Sequence, residues 1–384
     1  MTNRERLLAI MSGKPPDRIP WIPRLLLWYN AHRIAGTLPE RYRSANGSPW
    51  SLQDIERDLG LGAPARDGRI FETRLHGVEV RKRWLNEMEL LTEYVTPVGT
   101  VTTLFRGSEV LRRHGIQDLQ VEYMLKRRED YPAVEYIIEH TDYIPTYDEY
   151  DAYEREVGDD GYPMVECGDC PFHHWMRALV GYENAYYHLH DYPNEVERLV
   201  SLMTQRDREI IWKVIADSPA RLILHGVHFS SQMTPPPVFE RFILPYYQEL
   251  SPLLRARGKT LCLHGDNDTG RILRHIEWAG YGMVECLVTH PMVPTTLEEV
   301  RAAWGNRVII WGGVPSTILE DLYTEEAFEA YMEQLFRTIA PGDAFILGVA
   351  DNVMPGAKIE RIRRITQMVA ERASYPIRTE RLPV

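Results

Sequence analysis

Short apolar runs alternate with longer amphipathic stretches through the second half of the chain. From Tyr162 onward, PMVEC, RLILHG, TLCLHG, GMVECL, RVIIWGG and AFILGV each read as a buried strand. Helical periodicity follows every one of them: PFHHWMRALV and then 194–217, 236–257, RILRHIEWAG, 297–304, 317–339 and 358–371. Six strand and helix units in series require parallel strands, because a crossover helix returns each strand to the same direction. With weaker units nearer the N-terminus the number approaches eight, and the expected fold is α/β, a (β/α)8 TIM barrel. A doubly wound sheet ranks below it, because no glycine-rich phosphate loop follows an early strand.

The N-terminal half is less regular. Residues 3–11 predict an amphipathic helix, 18–23 a brief strand and 24–34 a second helix. Between 68 and 106, IFETRL, VEVRKRWL, LLTEYVT and TVTTLF alternate, with Gly77 and Gly99 at turns, which predicts an antiparallel β insertion within a single domain over 1–384. The Asp-, Glu- and Tyr-rich stretch 128–161 predicts solvated helical surface. Composition adds exclusions: 44% hydrophobic and 26% charged residues are those of a globular protein. A net charge of -11 without a long Lys/Arg cluster argues against a nucleic-acid partner. No secretory leader or membrane-length apolar run is present, so a cytoplasmic location is expected. The four cysteines read as thiols, with CGDC a lone pair better taken as buried thiols than as a zinc or redox motif.

In a barrel, active sites sit at the C-terminal ends of the strands. Those ends carry Glu166, Cys167 and Asp169; His225 and His228; Cys262, His264 and Asp266; Glu285 and Cys286; Trp311; Asp351 and Asn352. The stretch KTLCLHGDNDTG is central to them. Side chains two apart on a strand share a face, so Cys262 and His264 point the same way, with Asp266 just beyond. By the same alternation Cys286 points away from the face of Glu285. The expected metal ligands are His264, Asp266 and Glu285. The expected acid, base or catalytic groups are His228, Glu166, Asp351 and Asn352, and the expected substrate contacts are Arg24, Trp28, His225 and Trp311. Blander roles compete at each position: Asx turns and caps for the aspartates, a backbone-bonded core histidine for one of His225 and His228, and core packing for most of the tryptophans.

Several segments also carry a family resemblance. NRERLLAIMSGKPPDRIP, GDCPFHHWMRALVGYENAYYHLHDYPNEV, TPPPVFERFILPYYQEL, LHGDN, WGGVPSTIL and ILGVADNVMPGAKIERI together resemble the uroporphyrinogen decarboxylase superfamily, most strongly from Pro163 onward. That resemblance implies a barrel and either a porphyrinogen decarboxylase or a methyltransferase working with a corrinoid on a partner protein. The decarboxylase's arginine-rich segment after the first strand is replaced here by WIPRLLLWYNAHRIAG, which favours the methyltransferase branch. The zinc-binding His-x-Cys and later Cys of that branch correspond to His264, Asp266 and the Asp351 region. His225 and His228 fall in a loop where members commonly carry Asp. The resemblance thus implies a corrinoid-binding protein as partner, zinc or another divalent metal, tetrahydrofolate, a thiol or a methoxy-aromatic compound as co-substrate, and a homodimer. The competing functions are a lyase or decarboxylase of a small aromatic or pyrrolic acid, and a non-catalytic binding barrel.

Overall fold

The computed structural model describes residues 1–379. Strand β1 (Phe71–Leu75) is followed by β2 (Glu79–Asn86), β3 (Glu89–Thr96), β4 (Gly99–Arg106) and β5 (Leu119–Glu122), which pair in that order as a four-stranded antiparallel sheet. The chain then returns through β6 (Thr141–Pro145), the antiparallel partner of β1. The insertion sheet therefore runs from β2 to β5, beyond residue 106, and IFETRL belongs to a separate two-stranded ribbon. Alternation alone identified β1 as a strand but carries no information about which distant strand it meets.

The remaining strands are parallel and adjacent in chain order: β7 (Met164–Glu166), β8 (Leu222–Val227), β9 (Thr260–His264), β10 (Met283–Leu287), β11 (Ile309–Val314) and β12 (Phe345–Val349). Two irregular segments close the ring. Leu347 of β12 donates to Pro20 O and accepts from Ile22 N, both at 2.9 Å, and Gly62 N donates to Trp21 O at 2.9 Å. Met164 N then donates to Ala65 O at 2.8 Å, with further parallel bridges at Ala63–Gly161 and Gly68–Val165. These two strands stay short because Pro20, Pro23 and Pro64 lack the N–H that a ladder needs. The fold is a (β/α)8 TIM barrel with N-terminal helices and an antiparallel β insertion.

The barrel interior is packed. Leu224, Cys262, Met283 and Ile309 stand in one register layer across β8 to β11, within a buried cluster that also holds Trp311 and Ile346. Helix Asn3–Met11 closes the N-terminal end by adding Leu7 and Ile10, three residues apart on one face, to that cluster. Burying these two side chains is worth about 1.5–3 kcal/mol each. Thr2 and Glu5 form a capping box that fixes where the helix starts. Among the described residues no helix is long and apolar enough to cross a membrane.

Candidate active site

Parallel register places Glu285 beside His264, two residues above the Met283–Cys262 pair of the barrel interior. Both side chains therefore lie on the floor of the C-terminal mouth. His264 Nδ1 is 2.5 Å from Glu285 Oε1, and the same oxygen accepts from Arg66 Nη1. Burial disfavours the imidazolium, but the Glu285 charge, with hydrogen bonds to Asp266, Cys286 and Glu285, raises His264 well above its ordinary value. Burial also opposes the Glu285 carboxylate, yet the charges of Arg66 and His264 hold it well below the usual range.

The second imidazole nitrogen faces carboxylates of the mouth. His264 Nε2 lies 3.5 Å from Asp266 Oδ2 and 3.6 Å from Asp351 Oδ1. Asp266 Oδ2 is 2.7 Å from His228 Nδ1, and Asp351 Oδ1 accepts from Arg24 Nη1 at 2.9 Å. Burial pushes the Asp266 carboxyl up, but the bonds to His228 and His264 outweigh it and hold the group well below the usual carboxylate range. Three non-glycine residues of this cluster adopt left-handed backbone, His228 (φ 58), Cys286 (φ 55) and Asp351 (φ 56). Each such conformation costs on the order of 1 kcal/mol or more, and its repetition around one mouth is typical of a functional site.

The left-handed turn at Cys286 also overturns a sequence expectation. The β10–β11 register slips between Val284 and Leu287, so the thiol comes back toward the mouth instead of pointing away. Cys286 Sγ donates to Asp351 O at 3.2 Å and lies 3.5 Å from Arg24 Nη1. Burial, reinforced by the Glu285 charge, pushes this thiol up, so it acts here as a neutral donor.

A metal was expected here, and the donor set fits one on one side of the imidazole. A tetrahedral ion with ligands at 2.0–2.2 Å spaces them about 3.3–3.6 Å apart. That matches the separation of His264 Nε2 and Asp266 Oδ2; His228 belongs to the same cluster within 4.8 Å, but its Nδ1 is hydrogen-bonded to Asp266 Oδ2 at 2.7 Å, closer than two ligands of one ion sit. Glu285 does not join this set. It sits at Nδ1, bonded to Arg66, where it fixes the ring's orientation in the manner of a carboxylate behind a ligating histidine. The alternative triplet His264, Glu285 and Cys286 has Arg66 and Arg24 at hydrogen-bonding distance, and those charges oppose a cation.

Other expected residues lie elsewhere. His225 is on the outer side of β8, as alternation from the inward-facing Leu222 and Leu224 requires; its Nδ1 meets Tyr247 OH at 3.0 Å. Trp28 is core, donating to Ala357 O at 3.1 Å. Trp311 lies within the barrel, donating to Ile22 O at 2.9 Å, and Gly348 has no side chain because a Cβ there would come within 2.8 Å of the Trp311 ring. Glu166 is exposed at the end of β7, and Asn352 is half-buried beside Asp351. Asp169 accepts from Val227 N and from Arg177, tying the β7 loop to β8. Arg66 was not anticipated, since the strand it follows has no alternating pattern to announce its end.

The uroporphyrinogen decarboxylase (URO-D) family model matches residues 155–372. The chain belongs to the URO-D family. Among solved structures it is similar to a methyltransferase from Methanosarcina mazei, with 15% identity and a TM-score of 0.55 over 97% of this chain and 99% of that one, a likeness of fold. No curated protein matches. Within this URO-D chain the family match covers β7 to β12, and therefore His228, His264, Asp266, Glu285 and Asp351, while Arg24 and Arg66 come from the segment before it.

Proposed function

We propose that this URO-D family enzyme is a methyltransferase that moves a methyl group between a corrinoid on a partner protein and a small molecule held over His264. The balance of charge at the mouth carries this reading against a porphyrinogen decarboxylase. Arg24 is paired with Asp351, Arg66 with Glu285, and His264 with Glu285 and Asp266. Each cation of the cluster is thus neutralised from within the chain, whereas a desolvated polycarboxylate needs surplus arginines. The similar Methanosarcina mazei structure is that of a methyltransferase, which agrees with the reading.

Exposed apolar side chains are compatible with a docking partner. Leu26, Tyr187, Met292, Leu322 and Met354 are exposed large apolar side chains in loops or helices that follow barrel strands, and such side chains favour a partner with an apolar contact face.

In this reading the corrinoid supplies the cobalt that gives up or accepts the methyl group, and the chain does the rest. Glu285 and Arg66 hold the His264 ring so that Nε2 addresses the substrate. Asp266 orients His228, whose side chain is 41% exposed, to take the proton of a thiol, phenol or pterin acceptor. A zinc or other divalent ion held by His264 and Asp266 would lower the pKa of such an acceptor and leave His228 as its base.

The test is to incubate the protein with methylcobalamin and thiol, phenol or tetrahydrofolate acceptors, following the cobalamin spectrum and the mass of the acceptor. A parallel incubation with uroporphyrinogen follows carbon dioxide. Methyl transfer without carbon dioxide release supports the proposal; the reverse result ends it.

A further inference from the structure

On the outer side of β7 and β8 lies a second cavity of about 390 Å³, bordered by the β1–β6 ribbon and helix Pro193–Arg206. Phe71, Ile138, Met203 and Ile211 give it apolar walls, and Tyr143, Arg206, Asp207 and His225 give it polar ones. The volume is in the lower part of the range for small-molecule sites. It is separate from the His264 cluster, although Glu166 borders it.

Its polar groups are held by the fold yet left incomplete. Asp207 begins a π-helical turn, Asp207–Ile211, a local irregularity that recurs at functional sites. Its Oδ2 accepts from Tyr246 OH at 2.7 Å, and Tyr246 OH in turn accepts from Trp212 Nε1 at 2.8 Å. Asp207 Oδ1 has no hydrogen-bond partner among the described residues. His225, 1% exposed, stacks on Tyr246 with centroids 5.7 Å apart; Nδ1 meets Tyr247 OH, and Nε2 has no partner among the described residues. Arg206 Nη2 donates to Thr141 O at 2.9 Å, while its Nε is buried without a partner. Tyr143 lines the same cavity as Arg206 and Asp207, and burial, then the Asp207 charge, pushes its phenol up. One apolar-walled cavity thus carries a carboxyl, a guanidinium, an imidazole and a phenol, the mixed lining of a small-molecule site.

We infer that this cavity binds a small zwitterion of the amino-acid class with an apolar side chain. Asp207 Oδ1 and His225 Nε2 accept from its ammonium group, the Arg206 guanidinium and Tyr143 OH pair with its carboxylate, and Phe71, Ile138, Met203 and Ile211 receive its side chain.

Calorimetric titration of the full-length protein tests this without reference to methyl transfer, so it fails or succeeds independently of the proposed activity. The probes are L-leucine, its amine counterpart isopentylamine and its acid counterpart 4-methylpentanoate. Saturable leucine binding is expected, with each counterpart at least about tenfold weaker, one charge-assisted bond being worth about that much. Asp207→Asn, which keeps an acceptor for Tyr246, and Arg206→Gln should each weaken leucine at least about tenfold, while His264→Ala leaves it unchanged. Absence of saturable leucine binding at millimolar concentration overturns the inference. So does an amine or acid that binds as well as leucine, or binding lost in His264→Ala and retained in Asp207→Asn.

Discussion

Replacing Glu285 by Gln tests the ion-paired floor of the mouth. Glu285 is 2% exposed and bonded to both Arg66 and His264, and the Arg66 side chain is only 18% exposed. Removing one partner of a buried pair leaves the other charge desolvated, at a cost of about 3–5 kcal/mol. Gln keeps the shape and one acceptor, which points to the lower end, about 3 kcal/mol. Asp351→Asn is the internal comparison. It also breaks an arginine pair, but with the carboxylate 38% exposed solvent screening reduces the expected cost to about 1 kcal/mol or less. Equilibrium urea unfolding reads both, provided the slope stays constant so that the midpoint reports stability. The reasoning is refuted if Glu285→Gln lies within about 0.5 kcal/mol of wild type, or if Asp351→Asn costs more than Glu285→Gln.

Three further outcomes are expected. Gly348→Ala should cost about 1–3 kcal/mol by overpacking, since its Cβ would come within 2.8 Å of Trp311; an unchanged melting temperature would show that the barrel interior yields more than the packing implies. Burial raises the Asp207 carboxyl from 3.8 to about 7, so the native state holds this proton longer than the unfolded chain and stability is lost as pH rises through that window. At 1.36 kcal/mol per pH unit the loss approaches roughly 4 kcal/mol, and Asp207→Asn should gain on wild type between pH 4 and pH 8; an equal difference in unfolding free energy at both pH values would contradict this. Elemental analysis of protein purified without added metal should find a divalent ion that His264→Ala and Asp266→Ala abolish and Cys286→Ser retains, whereas dependence on Cys286 would move the site to the other side of the imidazole.

The sequence made the barrel legible where strands were apolar and regular, from β7 to β12. It was weakest where the ladder is interrupted: Pro20, Pro23 and Pro64 shorten the first two strands, and with them the origin of Arg66 was hidden. Alternation put Cys262 and His264 on one face, and because nothing disturbs β9 beside β10 at that point Glu285 stands opposite His264. It misplaced Cys286 because a bulge in β10 breaks the two-residue period, and it would have sent His225 outward had the inward face of β8 been fixed from Leu222 and Leu224. Trp28 and Trp311 illustrate a different limit: an indole near a strand end reads alike whether it lines a pocket or fills a core, and here both indole N–H groups are spent on backbone carbonyls. The cavity around Asp207 had no linear signature at all, since its groups come from separate strands and helices.

The central claim is that methyl transfer takes place over His264. The measurement that tests it most directly is the rate of methyl exchange between methylcobalamin and the best acceptor, compared for wild type and His264→Ala, with both shown to be folded by circular dichroism. The account predicts a loss of about 10²-fold or more in the variant, the scale of a positioned acid–base or metal-holding group. A folded His264→Ala protein that transfers methyl at the wild-type rate would contradict it.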